Sequence, residues 1–181
     1  MERGIVMAGY AGNAGAAKLI AENEVALKNR FPGFFVDTVG TFAKDAYDEA
    51  AEDFLREKEI IYRVAECVKV SDGGVFAALW ELGESERIGF AVELKQIPVR
   101  QETIEICNFL DIDPYRLYAK GCILILAEYA ERLAGDLEKA GIPAAVIGRE
   151  HSEKKRVVYY DDEERFLEPR KGDSILETNR N

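Results

Sequence analysis

Histidine is nearly missing from this sequence of 181 residues: His151 is the only one. It sits in a charged run, Arg149 to Arg156, and reads as a solvated loop residue. Cysteine is scarce too. Cys67, Cys107 and Cys122 are far apart, form no CxxC pair and lie in apolar contexts. Their odd count argues against a disulfide framework, and their surroundings fit reduced core residues. Little is left from which to build a metal site rich in His and Cys. Long apolar runs are also missing: none reaches the roughly 18 residues of a membrane span. The start, Met1 to Tyr10, carries an early acid and lacks the apolar core of a secretory signal, so cytoplasm is the expected compartment. Positive charge is in deficit, with 24 Lys and Arg against 34 Asp and Glu, a formal net charge of −10. Phosphate backbones and anionic lipid attract basic surfaces, so neither nucleic acid nor membrane is an expected partner. A small anion held by backbone donors is untouched by that argument.

What is present suits a globular chain. Apolar residues make up 48% and charged residues 32%, and the length allows one full core. No repeat, low-complexity stretch or linker divides the sequence. Residues 1–170 read as one domain, and 171–181 as a polar, frayed tail.

The stretch from Val68 to Gly83 organises the rest. Val68 to Val70 reads as the end of a buried strand, and Ser71, Asp72, Gly73 and Gly74 make a turn. Val75, Ala78, Leu79 and Leu82 then recur at helical spacing. Phe76 and Trp80 add a second apolar face, which predicts a helix buried on both sides. Ser71 or Asp72 is expected to cap it. Two glycines let a ligand approach the backbone, and the free amides of a helix start favour an anion such as phosphate. The plain alternative is a glycine turn and nothing more. On the anion reading, Gly74→Asp should abolish binding with a modest loss of stability.

Upstream, Gly4 to Ala8 reads as a strand and a helix starts near Ala14. The glycines Gly9, Gly12 and Gly15 are spaced GxxGxxG, not the GxGxxG of dinucleotide sites, with Asp37 as the downstream acid. A nicotinamide-dependent oxidoreductase is the remote reading of that segment. Close packing at a strand-to-helix turn is the plain one. Thr41 to Glu66 looks helical, with Thr41 as a cap. Its acids, Asp45, Asp48, Glu49, Glu52 and Asp53, read as a solvated face and not as metal ligands. Downstream come a strand over Ile88–Leu94, a helix over Thr103–Leu110 closed by Asp111 to Pro114, and an apolar strand over Cys122–Ala127 covered on both faces. A helix through Leu137 and strands at Ala144–Ile147 and Arg156–Tyr160 follow. Asp161–Glu164 is an acidic turn and Phe166–Pro169 a short extended piece. This order predicts a mixed sheet with packed helices, α+β or α/β.

The run from Val70 to Leu82, the run from Ile97 through Pro98, Val99 and Arg100 to Cys107, and the step from Asp111 to Tyr115 together resemble the second domain of the aminoimidazole ribonucleotide (AIR) synthetase superfamily. The branch is that of AIR synthase-related proteins, grouped with the hydrogenase expression/formation factor that dehydrates a thiocarboxamide to a thiocyanate using ATP. The resemblance runs from about Ile5 to Pro169. It implies a three-layer α/β/α domain with partial ferredoxin-like topology. In such enzymes a first domain dimerises and supplies most of the ATP and Mg²⁺ site, and the second closes over it. By match, Asp72, Gly73 and Gly74 would face the phosphates or substrate, with Lys120 and Gly121 near the same cleft, and Ser71 beside them is a further candidate phosphate contact. No catalytic residue and no metal ligand is assigned on this chain. Two departures matter. The sequence starts where the family's second domain starts, and the maturation factor's terminal Cys has no counterpart in the stretch from Glu168 to Ile175.

The expectation is therefore a phosphate-, nucleotide- or partner-binding module without complete catalytic machinery and without an intrinsic cofactor. ATP and Mg²⁺ enter only with an ATP-domain partner. The alternative is one subunit of a split ATP-dependent synthetase or dehydratase. Loss of the covering domain predicts a homodimer or a heteromeric contact, because exposed apolar patches tend to be reburied.

Overall fold

The computed structural model describes residues 2–169, so the tail expected to fray lies outside the described residues. The order is β1 (Gly4–Ala8), α1 (Asn13–Glu22), α2 (Glu24–Arg30), α3 (Gly33–Gly40), a 3-10 turn (Thr41–Lys44), α4 (Tyr47–Leu55), α5 (Glu59–Tyr62), β2 (Val64–Lys69) and α6 (Gly74–Ser85). It continues through β3 (Gly89–Glu93), a 3-10 turn (Leu94–Gln96), α7 (Gln101–Leu110), β4 (Ile123–Ala127), α8 (Ala130–Lys139), β5 (Ala144–His151), β6 (Arg156–Tyr160) and β7 (Glu163–Phe166). Seven strands form one mixed α/β sheet in the order β2-β4-β1-β5-β3-β6-β7. Among the described residues the β3–β6 pair is parallel and the other pairs are antiparallel.

Alternation along the strands divides the core between two faces. On one, Ile5, Met7, Leu124, Leu126, Phe90 and Val92 pack against Val75, Phe76, Leu79 and Leu82 of α6. On the other, Val6, Ala8, Ile123 and Ile125 pack against Leu133 and Leu137 of α8 and Ala51 and Leu55 of α4. β4 is fully buried along its length, as its continuous apolar run predicts. A third cluster joins α1, α2, α3 and α7 through Leu19, Leu27, Val36, Val39, Ile106 and Leu117. Each such buried Leu or Ile contributes about 1.5–3 kcal/mol by leaving water. Among the described residues no helix is long and apolar enough to cross a membrane.

Several local expectations change. The helical reading of Thr41–Glu66 breaks up, because residues 45 and 46 are extended or irregular and a strand begins at Val64. That strand, β2, is the edge of the sheet among the described residues and is half exposed, although Val68 and Val70 at its end are buried. The stretch around Asp37, for which no element was expected, folds into α3 (Gly33–Gly40) directly after Pro32. β5 runs on to His151, which is half-buried at a strand end, with its Nδ1 accepting the Glu153 N–H. The acidic turn and the extended piece after it form a hairpin, β6–β7. The dinucleotide reading falls on topology. β1 runs antiparallel to both neighbours, and Asp37 lies within α3 instead of at the end of a parallel strand.

Candidate functional site

Strand register assembles the site. Ile123 at the start of β4 stands opposite Ala8, the last residue of β1, and also opposite Lys69, the last residue of β2. Because β4 runs antiparallel to both, its entry, Lys120–Gly121, falls between the Gly9 loop and the Ser71 turn. Contacts between the pieces are close. Val70 N–H donates to Cys122 O at 3.0 Å and Ala119 N–H to Ser71 O at 3.3 Å. A Cβ on Gly9 would meet Gly121 O at 2.7 Å, and one on Gly121, at φ +83°, would meet Asp45 O at 2.1 Å. The structure therefore brings Ser71, Asp72, Gly73 and Gly74 together with Lys120 and Gly121.

Their exposure differs. Ser71, Asp72 and Lys120 are open to solvent, whereas Gly73, Gly74 and Gly121 are buried. Neither Ser71 nor Asp72 caps α6. The N-cap is Gly73 at φ 80°, with no side-chain bond, which corrects the expected cap. Gly74 N–H donates to Ser71 O at 3.1 Å, and Phe76 N–H to Tyr115 O at 3.2 Å. Two amides of the expected anion cradle are thus already used inside the chain. Gly74 itself sits at φ +66° beneath the 115–117 backbone, where a Cβ would lie 2.5 Å from Tyr115 O and 2.6 Å from Leu117 O. Gly74→Asp can therefore not be a mild change, and the expectation of modest destabilisation is corrected.

The second apolar face expected for α6 is only partly covered. A groove of about 290 Å³ runs along it, lined by Lys69, Ser71, Asp72, Ala77, Ala78, Trp80, Glu81 and Glu84. Lys69 in its lining is already held by Glu52 at 2.9 Å and by Asp48 at 3.8 Å, and Arg156 lies over Trp80 at 4.6 Å.

These pieces match the family described as AIR synthase related protein, C-terminal domain, over residues 11–161. The chain belongs to that family. Among curated relatives, carbamoyl dehydratase HypE of Rhodobacter capsulatus is 29% identical over 92 residues, which cover 47% of this chain and 27% of that protein. Among solved structures, hydrogenase maturation protein HypE of E. coli superposes with a TM-score of 0.75 at 20% identity, over 94% of this chain and 51% of that one. A HypE structure in complex with ATP gives 0.71 at 19% identity, over 94% and 51%. The chain thus spans about half the length of the HypE structures, and a smaller share of the curated relative.

Sequence reasoning missed a second polar cluster in this AIR synthase related domain. Arg100 Nη1 donates to Asp45 Oδ2 at 2.9 Å, and its guanidinium lies over Tyr10 at 4.4 Å and over Phe42 at 4.1 Å. Asn13, 1% exposed, donates its Nδ2 to the same Asp45 oxygen at 2.5 Å. Asp45 and Asp48 are accordingly not part of a solvated face. The signal lay in the Ile97–Arg100 run, where an arginine follows two apolar residues and a proline.

The thiols are not poised as nucleophiles. Burial, and then the neighbouring acids Glu59, Glu66 and Glu52, push Cys67 up to about 11. Burial pushes Cys107 up to about 12, and Cys122 is pushed up as well, by burial first. A thiol must ionise to attack, so all three read as packing residues at neutral pH.

Proposed function

We propose that this chain is a phosphate- or nucleotide-facing binding module, hydrogenase maturation factor-like, that works with an ATP-binding domain. One observation carries the reading: the Gly9–Gly15 loop, the Ser71–Gly74 turn and the Lys120–Gly121 step gather at one end of the sheet. Of these pieces the Ser71–Asp72 turn and the Lys120 side chain are open to a ligand, while the buried glycines let the three segments meet closely. With the Gly74 and Phe76 amides taken, the Ser71 hydroxyl and the Lys120 ammonium become the leading contacts. The Asp72 carboxylate would tolerate phosphates only with a divalent cation beside it. That cation and ATP belong to the partner domain, and no cofactor is assigned to this chain. A further contact, with a second copy of the chain or with that partner, belongs to the same reading.

The test is calorimetry on the whole chain with inorganic phosphate, ADP and MgATP. Heat from at least one is expected, weakened about fivefold or more by Lys120→Glu through charge reversal. Silence with all three, in the presence and absence of an ATP-domain partner, ends the reading. Light scattering over a wide concentration range tests the homodimer, and a monomer throughout removes it. A second reading, a part of an ATP-dependent dehydratase, rests on the likeness of this chain to HypE. It requires an ATP-binding domain that acts together with this chain, and it fails if MgATP is not turned over when such a domain is supplied.

A further inference from the structure

Among the described residues the β2 end of the sheet has no further strand beside it, and its surroundings select what could pair with it. On its inner side β2 meets β4, with Glu66 opposite Leu126 and Val68 opposite Leu124. Val70 N–H donates to Cys122 O, so the alternate residues Cys67 and Lys69 turn their backbone groups outward. The Cys67 N–H is met there by its own neighbour: Glu66 Oε1 accepts it at 2.9 Å. A carboxylate oxygen thus occupies the place that the carbonyl of an added strand would take.

Both flanks of this edge are acidic. From α4, Asp48 and Glu52 reach Lys69. From α6, the groove beside Lys69 presents Asp72 and Glu81 next to Trp80, while Glu84 is paired with Arg156, whose guanidinium lies over the Trp80 ring at 4.6 Å. Burial first, and then the neighbouring Glu59, Glu66 and Glu52, hold the Cys67 thiol protonated, and those three acids place the edge itself in that negative field.

We infer that the β2 edge docks an extended, basic segment of a partner protein, added as a further strand. The incoming carbonyl displaces Glu66 from the Cys67 N–H, and the freed carboxylate pairs with a Lys or Arg of the segment. Alternate side chains of the segment enter the groove by Trp80 and meet Glu81. Main-chain bonds then supply affinity, and the pockets for alternate residues supply selectivity. Charge decides against a second copy of this chain, because edge-to-edge pairing would set the same carboxylates against each other. Without the right segment, Glu66 and the flanking charges keep the edge closed to adventitious pairing.

The test uses a fluorescent eleven-residue peptide alternating lysine and valine, and a counterpart with glutamate for lysine. A third version of the lysine peptide carries N-methyl groups at alternate positions and so cannot join a sheet. Anisotropy on the whole chain is expected to show salt-sensitive binding of the first peptide only. The emission of Trp80, the single tryptophan of the chain, should shift on binding. Glu81→Lys should weaken binding about tenfold, and Glu138→Lys, on the exposed side of α8, should leave it within about twofold. Equal binding of the N-methylated peptide would reduce the effect to general electrostatic attraction and overturn the proposal. So would absence of binding, an equal response to Glu138→Lys, or salt-insensitive dimerisation of the chain that Glu81→Lys abolishes.

Discussion

Helices α1 and α6 start alike. Each begins on a left-handed glycine, Gly12 at φ 69° and Gly73 at φ 80°, with no side-chain cap. In each, an amide of the first turn donates to one shared segment: Gly15 N–H to Tyr118 O at 2.9 Å, and Phe76 N–H to Tyr115 O at 3.2 Å. The segment 114–118 is wedged between the two helix starts and supplies from backbone what a Ser or Asp would supply from a side chain. The surroundings then diverge. The α1 start is closed over by Asp45 and Phe42, with Arg100 stacked between Tyr10 and Phe42. The α6 start leaves the Ser71 and Asp72 side chains in solvent. Two similar glycine-rich junctions thus give one packed joint and one accessible turn. The difference is made by distant chain, residues 41–48, and not by the junctions themselves.

The strongest way to break this comparison is Gly74→Ala. The new Cβ meets two carbonyl oxygens inside 2.7 Å, at a positive φ that alanine disfavours. Strain and overpacking together should cost about 4 kcal/mol, read by denaturant unfolding. A loss under about 1 kcal/mol would show that the 115–117 wedge yields. Next comes Leu117→Ala. Leu117 is fully buried and touches the α1 start, and its carbonyl packs on Gly74. A loss of about 3 kcal/mol is expected, with faster amide exchange at the starts of both helices. Arg100→Ala separates them. It removes an ion pair and two ring contacts, at about 2 kcal/mol, and should loosen the α1 start alone. Equal loosening at α6 would mean that the two joints form one unit.

The contrast also explains what could be read in advance. Strands with one clear period, such as Ile88–Leu94, or an unbroken apolar run, such as Ile123–Ala127, declared themselves because burial on one face or two dictates their pattern. So did the helices around Leu79, Ile106 and Leu133. The segment 41–69 did not. Alanine and acids favour helix locally, but Val64 to Val68 pairs with β4, and tertiary pairing outweighs local propensity. At the candidate site, the turn was legible from Asp72, Gly73 and Gly74, since glycines at a strand-to-helix junction mark unusual backbone. Which of its amides were already taken was not legible. Their acceptors, Ser71 O and Tyr115 O, are backbone atoms, and backbone atoms leave no mark in composition. Asp45 was hidden for a related reason. Among five acids in nine residues, only its position opposite Arg100 and Asn13 distinguishes it.

The smallest expected effect sharpens the comparison from outside. Gly135 lies within α8, with nothing inside 4 Å of where its Cβ would stand and no positive φ. Glycine there only adds freedom to the unfolded chain and weakens the helix, so Gly135→Ala should raise stability by about 0.5–1 kcal/mol. Set beside Gly74→Ala, it is the same chemical change with the opposite sign. That opposition follows only if the damage at Gly74 comes from the wedge of residues 115–117 and the left-handed backbone. If Gly135→Ala were as harmful, glycine content in general would be setting stability, and the helix starts would lose their special standing. If it stabilises as expected, glycine is needed in this chain where a carbonyl occupies the place of the missing Cβ.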